Sequence, residues 1–353
     1  MTTSTVAPPH HIPAQPVRGL SFSSLMSPDA VHKSAAGEVF LTDAVRLAED
    51  HVAVAARWHR DRFLPAPGAP SAAGPADPLL VVETVRQSLI HLSHQVYGAP
   101  RNHPFVLNAL ELELATGAPA APAPRPVLLD ITCTRNARTP RRQGLTLDAA
   151  VLADGAALAR VRMRWEILDP RLYALARTRA RQDALAAAAT PEALAPRRLA
   201  AHEAGCARQR DVLLARTPED APGAFRLDVD TTHPVLYDHP CDHTPGMVLL
   251  EAFLQAATAA APSGAAARAG AAARAGLTRL AATFNAFGEP DAPVLLTAQP
   301  GATAAGLHAT RLTAAQGPTT LATAQLTHLP RLPHVPAARR SAPRPTVPFQ
   351  VAP

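Results

Sequence analysis

The chain has 353 residues, 47% of them apolar, and a formal net charge of +6. That length and apolar share suit two domains with substantial cores. The positive balance does not point to a nucleic-acid partner: only 4% of residues are aromatic, and the basic residues are scattered arginines with Lys33 as the one lysine, so stacking platforms are lacking.

Residues 1–26 are rich in Pro, Ser and Thr and read as a flexible arm. Strands are predicted at 38–43 and 51–63, then an Ala/Pro/Gly loop over 65–78 and a helix over 78–98. Four strands follow at 105–115, 126–135, 144–152 and 157–168. The last alternates small or apolar residues with arginines, the pattern of a one-sided antiparallel strand. An Ala/Arg-rich, partly helical segment, 171–206, connects to a second stretch built in the same order. Strands at 211–215 and 225–231 precede a motif that leads into a helix, and strands follow at 277–287, 294–298, 308–314 and 319–328. Residues 331–353 form a Pro/Arg-rich tail that cannot bury a core.

This repetition is the main fold signal. Both helices are apolar all round, one through Leu79, Leu80, Val82, Val85 and Leu89, the other through Val248, Leu250, Phe253 and Leu254. A helix with no polar face is buried on every side. The expected fold is therefore α+β: two tandem hot-dog repeats, 27–170 and 207–330, each a sheet wrapped round a central helix, packed as a pseudo-dimer.

Chemistry concentrates in HPVLYDHPCDHTPGMVLLEAFLQAA (233–257), where histidines, aspartates and a Pro-Gly turn precede an apolar helix carrying Glu251. Glu83 holds the matching place in the first helix. A carboxylate in an apolar helix costs free energy unless it is partnered or used. His239 and His243 can orient substrate or shuttle a proton. Asp242 can bind substrate or, with Thr244, cap the turn. Gly246 lets an acyl carbonyl approach, and its N–H and that of Met247 open the helix as an oxyanion site. Arg86, one turn after Glu83, can pair with it or grip a phosphate. His32 and Lys33 reach the cleft or lie on the surface. The arginines of 135–142 hold phosphates of a cofactor or carrier arm, or form a solvated loop face.

No metal is expected, because the motif histidines lie on a short turn without a helical i, i+4 pair. No redox or nucleotide cofactor motif is present. Cys241 lies beside the motif, but a thiol nucleophile wants a firm base and orienter. Cys133, Cys206 and Cys241 are too widely spaced for a disulfide framework, which suggests a reducing compartment. There is no signal-peptide pattern and no apolar run of the roughly 18–20 residues that span a bilayer. The cytoplasm is expected, with no membrane association.

The segments VHKSAAGEVFLTD (31–43), ETVRQSLIHLSHQVYG (83–98) and 233–257 resemble the AfsA family of A-factor, or γ-butyrolactone, biosynthesis proteins, over about residues 28–330. The resemblance implies an acyltransferase that joins a β-ketoacyl group, borne on an acyl carrier protein or coenzyme A, to the hydroxyl of dihydroxyacetone phosphate. It implies Glu251 as the base acting on that hydroxyl, with Glu83 as its counterpart, and no cofactor. Family members resemble Glu-x-x-Arg-Gln in both helices, but the second helix here reads Glu251-Ala-Phe-Leu254-Gln255. Leucine binds no phosphate, so another arginine grips it, the substrate differs, or catalysis is impaired. The motif is also similar, more distantly, to β-hydroxyacyl thioester dehydratases, with a His239-to-Glu251 spacing about two residues shorter than theirs. A dehydratase or thioesterase, and a non-catalytic acyl-binding regulator, stand as alternatives, and a homodimer is compatible with each.

Overall fold

A computed structural model of the protein describes residues 17–64, 76–116, 123–187, 195–261, 276–301 and 307–329. Most of the expected N-terminal arm, most of the 65–78 loop and the tail lie outside the described residues. The first half contains β1 (Leu41–Arg46), β2 (His51–Trp58), α1 (Pro78–Gln95), β3 (Phe105–Leu114), β4 (Arg125–Thr139), β5 (Arg142–Ala153) and β6 (Ala156–Leu168). Helix α2 (Pro170–Ala187) leads to the second half: β7 (Arg197–Arg198), β8 (Leu214–Arg216), β9 (Ala224–Leu227), α3 (Gly246–Ala259), β10 (Leu277–Phe284), β11 (Leu295–Pro300), β12 (His308–Gln316) and β13 (Thr319–His328).

These strands form one 13-stranded sheet with β3 and β10 adjacent near its middle. Outward from that pair the order is β3-β6-β5-β4-β2-β1 on one side and β10-β13-β12-β11-β9-β8 on the other. The identical order is a duplicated fold related by a pseudo-twofold axis. Helix α1 packs on β1, β3, β5 and β6, α3 packs on β8, β11, β12 and β13, and the helices touch each other. Leu79, Leu80, Val81, Val82 and Val85 of α1 are fully buried, as are Val248, Leu250, Ala252 and Phe253 of α3. Their all-round apolar character is thus explained by burial inside the tandem hot-dog arrangement expected from the repeat. Among the described residues no helix is long and apolar enough to cross a membrane.

The duplication extends to single hydrogen bonds. Gln87 Nε2 donates to Glu38 O at 2.7 Å while its Oε1 accepts from Phe40 N at 2.9 Å. Gln255 Nε2 donates to Asp211 O at 2.8 Å while its Oε1 accepts from Leu213 N at 2.8 Å. These amides replace strand partners for the backbone entering β1 and β8. That is why the predicted strands at 38–43 and 211–215 start later, after the 3-10 turns Ala36–Glu38 and Gln209–Asp211. Similarly, α1 stops at Gln95 rather than at residue 98, because Gly98 takes φ +65° and Ala99 N turns back to Ser93 O. Gln87→Leu would strand two buried backbone groups, and an urea titration is expected to show a loss of about 2–4 kcal/mol.

The two central strands pair only from Arg279↔Glu113 to Thr283↔Ala109. Beyond that point β3 continues along β6 to Phe105 without β10 beside it. The gap where they part is the entrance to the site.

Candidate active site

A cavity of about 460 Å³ fills this gap. Its walls are residues 105–108 of β3, residues 284–287 at and after the end of β10, the inner face of α1 at Glu83, Arg86 and Ile90, much of the 235–245 loop, and the start of α3. Both repeats are therefore needed to build it.

Glu83 is completely buried and is clasped by two cations. Arg86 Nε and Nη2 donate to its Oε2 and Oε1 at 2.8 and 3.0 Å, Lys33 Nζ lies 3.1 Å from Oε1, and Gln87 Nε2 donates to Oε1 at 3.1 Å. Burial alone would raise this carboxyl, but Arg86 and Lys33 outweigh it and hold Glu83 well below the usual carboxylate range. An acid held so firmly ionised is a poor proton acceptor. It organises the cations around it.

Lys33 also reaches across the repeat boundary to Asp238 Oδ1 at 3.4 Å. Asp238, its side chain only 2% exposed, accepts from Ser34 N at 3.2 Å and from His239 Nδ1 at 2.7 Å. Burial works to raise the Asp238 carboxyl, and the bonds from His239 and Lys33 outweigh it to lower it. An ionised Asp238 accepts from Nδ1–H, so the neutral tautomer it favours is the one with Nε2 free to accept a proton. At 41% exposure the ring stands in the cavity wall.

Helix α3 brings its N-terminus to the same cavity through Pro245, Gly246 and Met247. Pro245 is the N-cap and makes no side-chain cap bond, so the first N–H groups face the cavity without a capping side chain. The pseudo-equivalent end of α1 differs. There Asp77 caps, accepting from Leu79 and Leu80 N–H at 2.9 and 3.1 Å, and Pro78 stands where Gly246 does and has no N–H. The clasp differs too: Leu254 replaces Arg86, and Cys206 takes the place of Lys33 at the same spacing before the matching turn. His32 and Gly205, the residues before them, both adopt positive φ, 53° and 69°. One end of the pseudo-dimer thus combines an open helix start with paired cations, and the other does not.

The remaining motif residues dock α2. Tyr173 donates its hydroxyl to Asp242 Oδ1 at 2.7 Å, and Arg177 bonds Asp242 and the buried Glu289. Asp242 therefore faces the linking helix and does not line the cavity, where the sequence suggests it as a substrate-binding residue. His243 Nδ1 lies 2.7 Å from Asp242 Oδ1 and 3.8 Å from Cys241 Sγ. Burial works to lower His243, but its Cys241 and Asp242 partners outweigh it and raise it. Burial works to raise the Cys241 thiol, and His243 outweighs it and lowers it. The ligand atoms of Cys241, Asp242 and His243 lie within 4.8 Å of one another. Arg177 already supplies positive charge to that carboxylate, which disfavours a cation there.

His32 lines the cavity with φ 53°. His94 Nδ1 donates to Ala99 O at 2.8 Å, so its Nε2 is left to accept from His32 Nε2 at 2.8 Å. Burial first, then the neighbouring His94, lowers His32 from 6.5 to about 4. The unfolded chain takes up this proton below its ordinary pKa and the folded chain resists it, so stability is full above 6.5 and is lost as the pH falls toward about 4. Asn tolerates the left-handed backbone. His32→Asn is expected to flatten the fall in urea midpoint between about pH 7 and about pH 5.

Of the residues expected from the sequence, Glu83, Arg86, His32, Lys33, His239, His243, Gly246 and Met247 meet at this cavity. Glu251 does not line it: the side chain is fully buried, with Gln255 Nε2 donating to its Oε1 at 2.8 Å. Sequence reasoning missed Asp238 as the residue orienting His239. It also missed Tyr173 and Arg177, which sit in a connection without any motif.

The profile of the A-factor biosynthesis hotdog domain matches residues 15–169 and 187–330. A Streptomyces virginiae protein named 2-oxo-3-(phosphooxy)propyl 3-oxoalkanoate synthase is 33% identical over 284 residues, 79% of this chain and 88% of its own. Proteins of the same name from Streptomyces griseus and Streptomyces coelicolor are 32% and 31% identical, covering 67% and 68% of this chain and 76% and 72% of theirs.

Proposed function

The chain belongs to the A-factor biosynthesis hotdog domain family, and from that premise we propose that it transfers a 3-oxoacyl group from a thioester to the hydroxyl of dihydroxyacetone phosphate. The thioester is borne on an acyl carrier protein or coenzyme A. The names of its relatives support this acyltransferase reading. The observation that carries it is the convergence of an open helix start, an Asp–His pair and Arg86 on one cavity between the repeats.

The thioester carbonyl sits at the N-terminus of α3, where the Gly246 and Met247 N–H groups stabilise the developing oxyanion, an effect of about 3–4 kcal/mol per aligned donor. His239 Nε2 takes the proton of the acceptor hydroxyl as its oxygen attacks the carbonyl. The C–S bond then breaks, and the imidazolium returns the proton to the leaving thiolate. Arg86, with two N–H groups on Glu83 and its side chain 21% exposed, offers the rest of its fork to the acceptor phosphate. Glu83 keeps Arg86 and Lys33 in place. In this reading the Glu83 end carries the reaction and the Glu251 end does not. The compartment implied is the cytoplasm, in keeping with Cys133, Cys206 and Cys241 forming no disulfide among the described residues.

The test is to mix the protein with a β-ketoacyl thioester, with and without dihydroxyacetone phosphate, and to follow free thiol. Release that depends on the acceptor supports the transferase. Release without acceptor identifies a thioesterase instead, and tight acyl binding without release identifies a binding protein.

A further inference from the structure

A cluster of arginines stands beside the entrance and takes no part in the chemistry above. Arg138 and Arg141 at the tip of the β4–β5 hairpin, Arg142 at the start of β5 and Arg171 in the first turn of α2 are all exposed. Of these four, only Arg142 has an ion pair among the described residues, with Glu166. The nearby Asp169 spends its carboxylate on the Arg171 backbone N–H at 2.9 Å.

Register fixes where this cluster lies. Arg142 stands opposite Leu168 on β6, and Leu168 N donates to the carbonyl of Pro104, a wall residue of the cavity. Asp169 N donates to Arg141 O at 2.8 Å, which ties the hairpin tip to the start of α2. The tip is therefore two strand spacings, about 10 Å, from the cavity wall. None of these arginines lines the cavity itself. They spread over a hairpin and a helix start, a footprint matched to a protein face rather than to one phosphate group.

We propose that the β4–β5 hairpin tip and the start of α2 form the docking surface for an acidic carrier protein, which delivers its thioester arm through the gap between β3 and the segment after β10. Unpaired, exposed guanidinium groups steer an acidic partner and set its register on the surface. This inference rests on the acyl-transfer reading.

The experiment compares wild type with the double variant Arg138→Glu/Arg141→Glu, using one β-ketoacyl group on three donors: a bacterial acyl carrier protein, coenzyme A and N-acetylcysteamine. Both substitutions are on the surface, and the small thioester reports whether the fold and the chemistry survive. The expected result is a KM for the carrier-bound donor raised about tenfold or more, with turnover of the N-acetylcysteamine thioester unchanged. The wild-type KM for the carrier should also rise with salt more steeply than the variant's. An unchanged carrier KM overturns the proposal, and so does an equal loss on all donors. An equal rise for coenzyme A overturns it too, since the arginines would then be reading that cofactor's phosphates. If wild type turns over no donor, the transfer reading fails on its own. Docking is then decided by direct titration of the phosphopantetheinylated carrier, whose Kd should rise about tenfold in the variant.

Discussion

His239→Ala is expected to lower kcat for acyl transfer by about a hundred- to ten-thousand-fold while the protein stays folded. The ring is 41% exposed, and its one hydrogen bond among the described residues goes to Asp238, so little packing is lost. Asp238→Asn should also impair turnover, because an amide can present its N–H to Nδ1 and turn the proton to Nε2, the nitrogen that has to accept. The two losses should not add, since both remove the same base. Steady-state kinetics on the single and double variants, with circular dichroism as the fold control, decide the matter. A His239→Ala enzyme within a few-fold of wild type would leave the cavity without its proposed base.

The duplicated order of parts was legible because it depends on coarse periodicity. All-round apolar helices require burial, and alternation as in β6 requires a sheet with one wet face. Strand starts were less legible, since Gln87 and Gln255 replace ladder partners from a distance that no local pattern records. The site was half legible. Sequence reading took each repeat as self-contained and therefore matched the 233–246 loop with Glu251 on the helix that follows it. In the folded chain that loop instead faces Glu83 on the central helix of the other repeat, because β3 and β10 join the two sheets edge to edge. Pairing across a pseudo-twofold axis is a tertiary fact. The loss of cations at Leu254 hinted that the two ends are unequal, but the hint became interpretable only beside Asp77, Pro78 and Cys206.

Glu83→Gln is expected to lower unfolding free energy by about 3–5 kcal/mol, because it leaves buried positive charge without its counter-ion. Lys33 retains only Asp238 as a charged partner, at 3.4 Å, and Arg86 exchanges a two-point ion pair for at most a single hydrogen bond to the amide oxygen. With Arg86 and Lys33 free to move, Asp238 and hence His239 lose their anchor, and a shift on the order of 1 Å in a reacting group costs about a hundredfold in rate. Urea unfolding and thiol-release kinetics should therefore both register this variant. That Lys33 escapes the arginine bias of the whole chain fits this geometry: a compact ammonium fits between two carboxylates where a planar guanidinium would need more room. Glu251→Gln provides the contrast. At that end of the pseudo-dimer Asp77 already occupies the helix N–H groups, and neither cation of the clasp is present. Its acyl-transfer rate should stay within a few-fold of wild type, whatever its cost in stability. A Glu251→Gln protein that folds but transfers nothing, beside an active Glu83→Gln protein, would move the chemistry to the opposite end of the molecule.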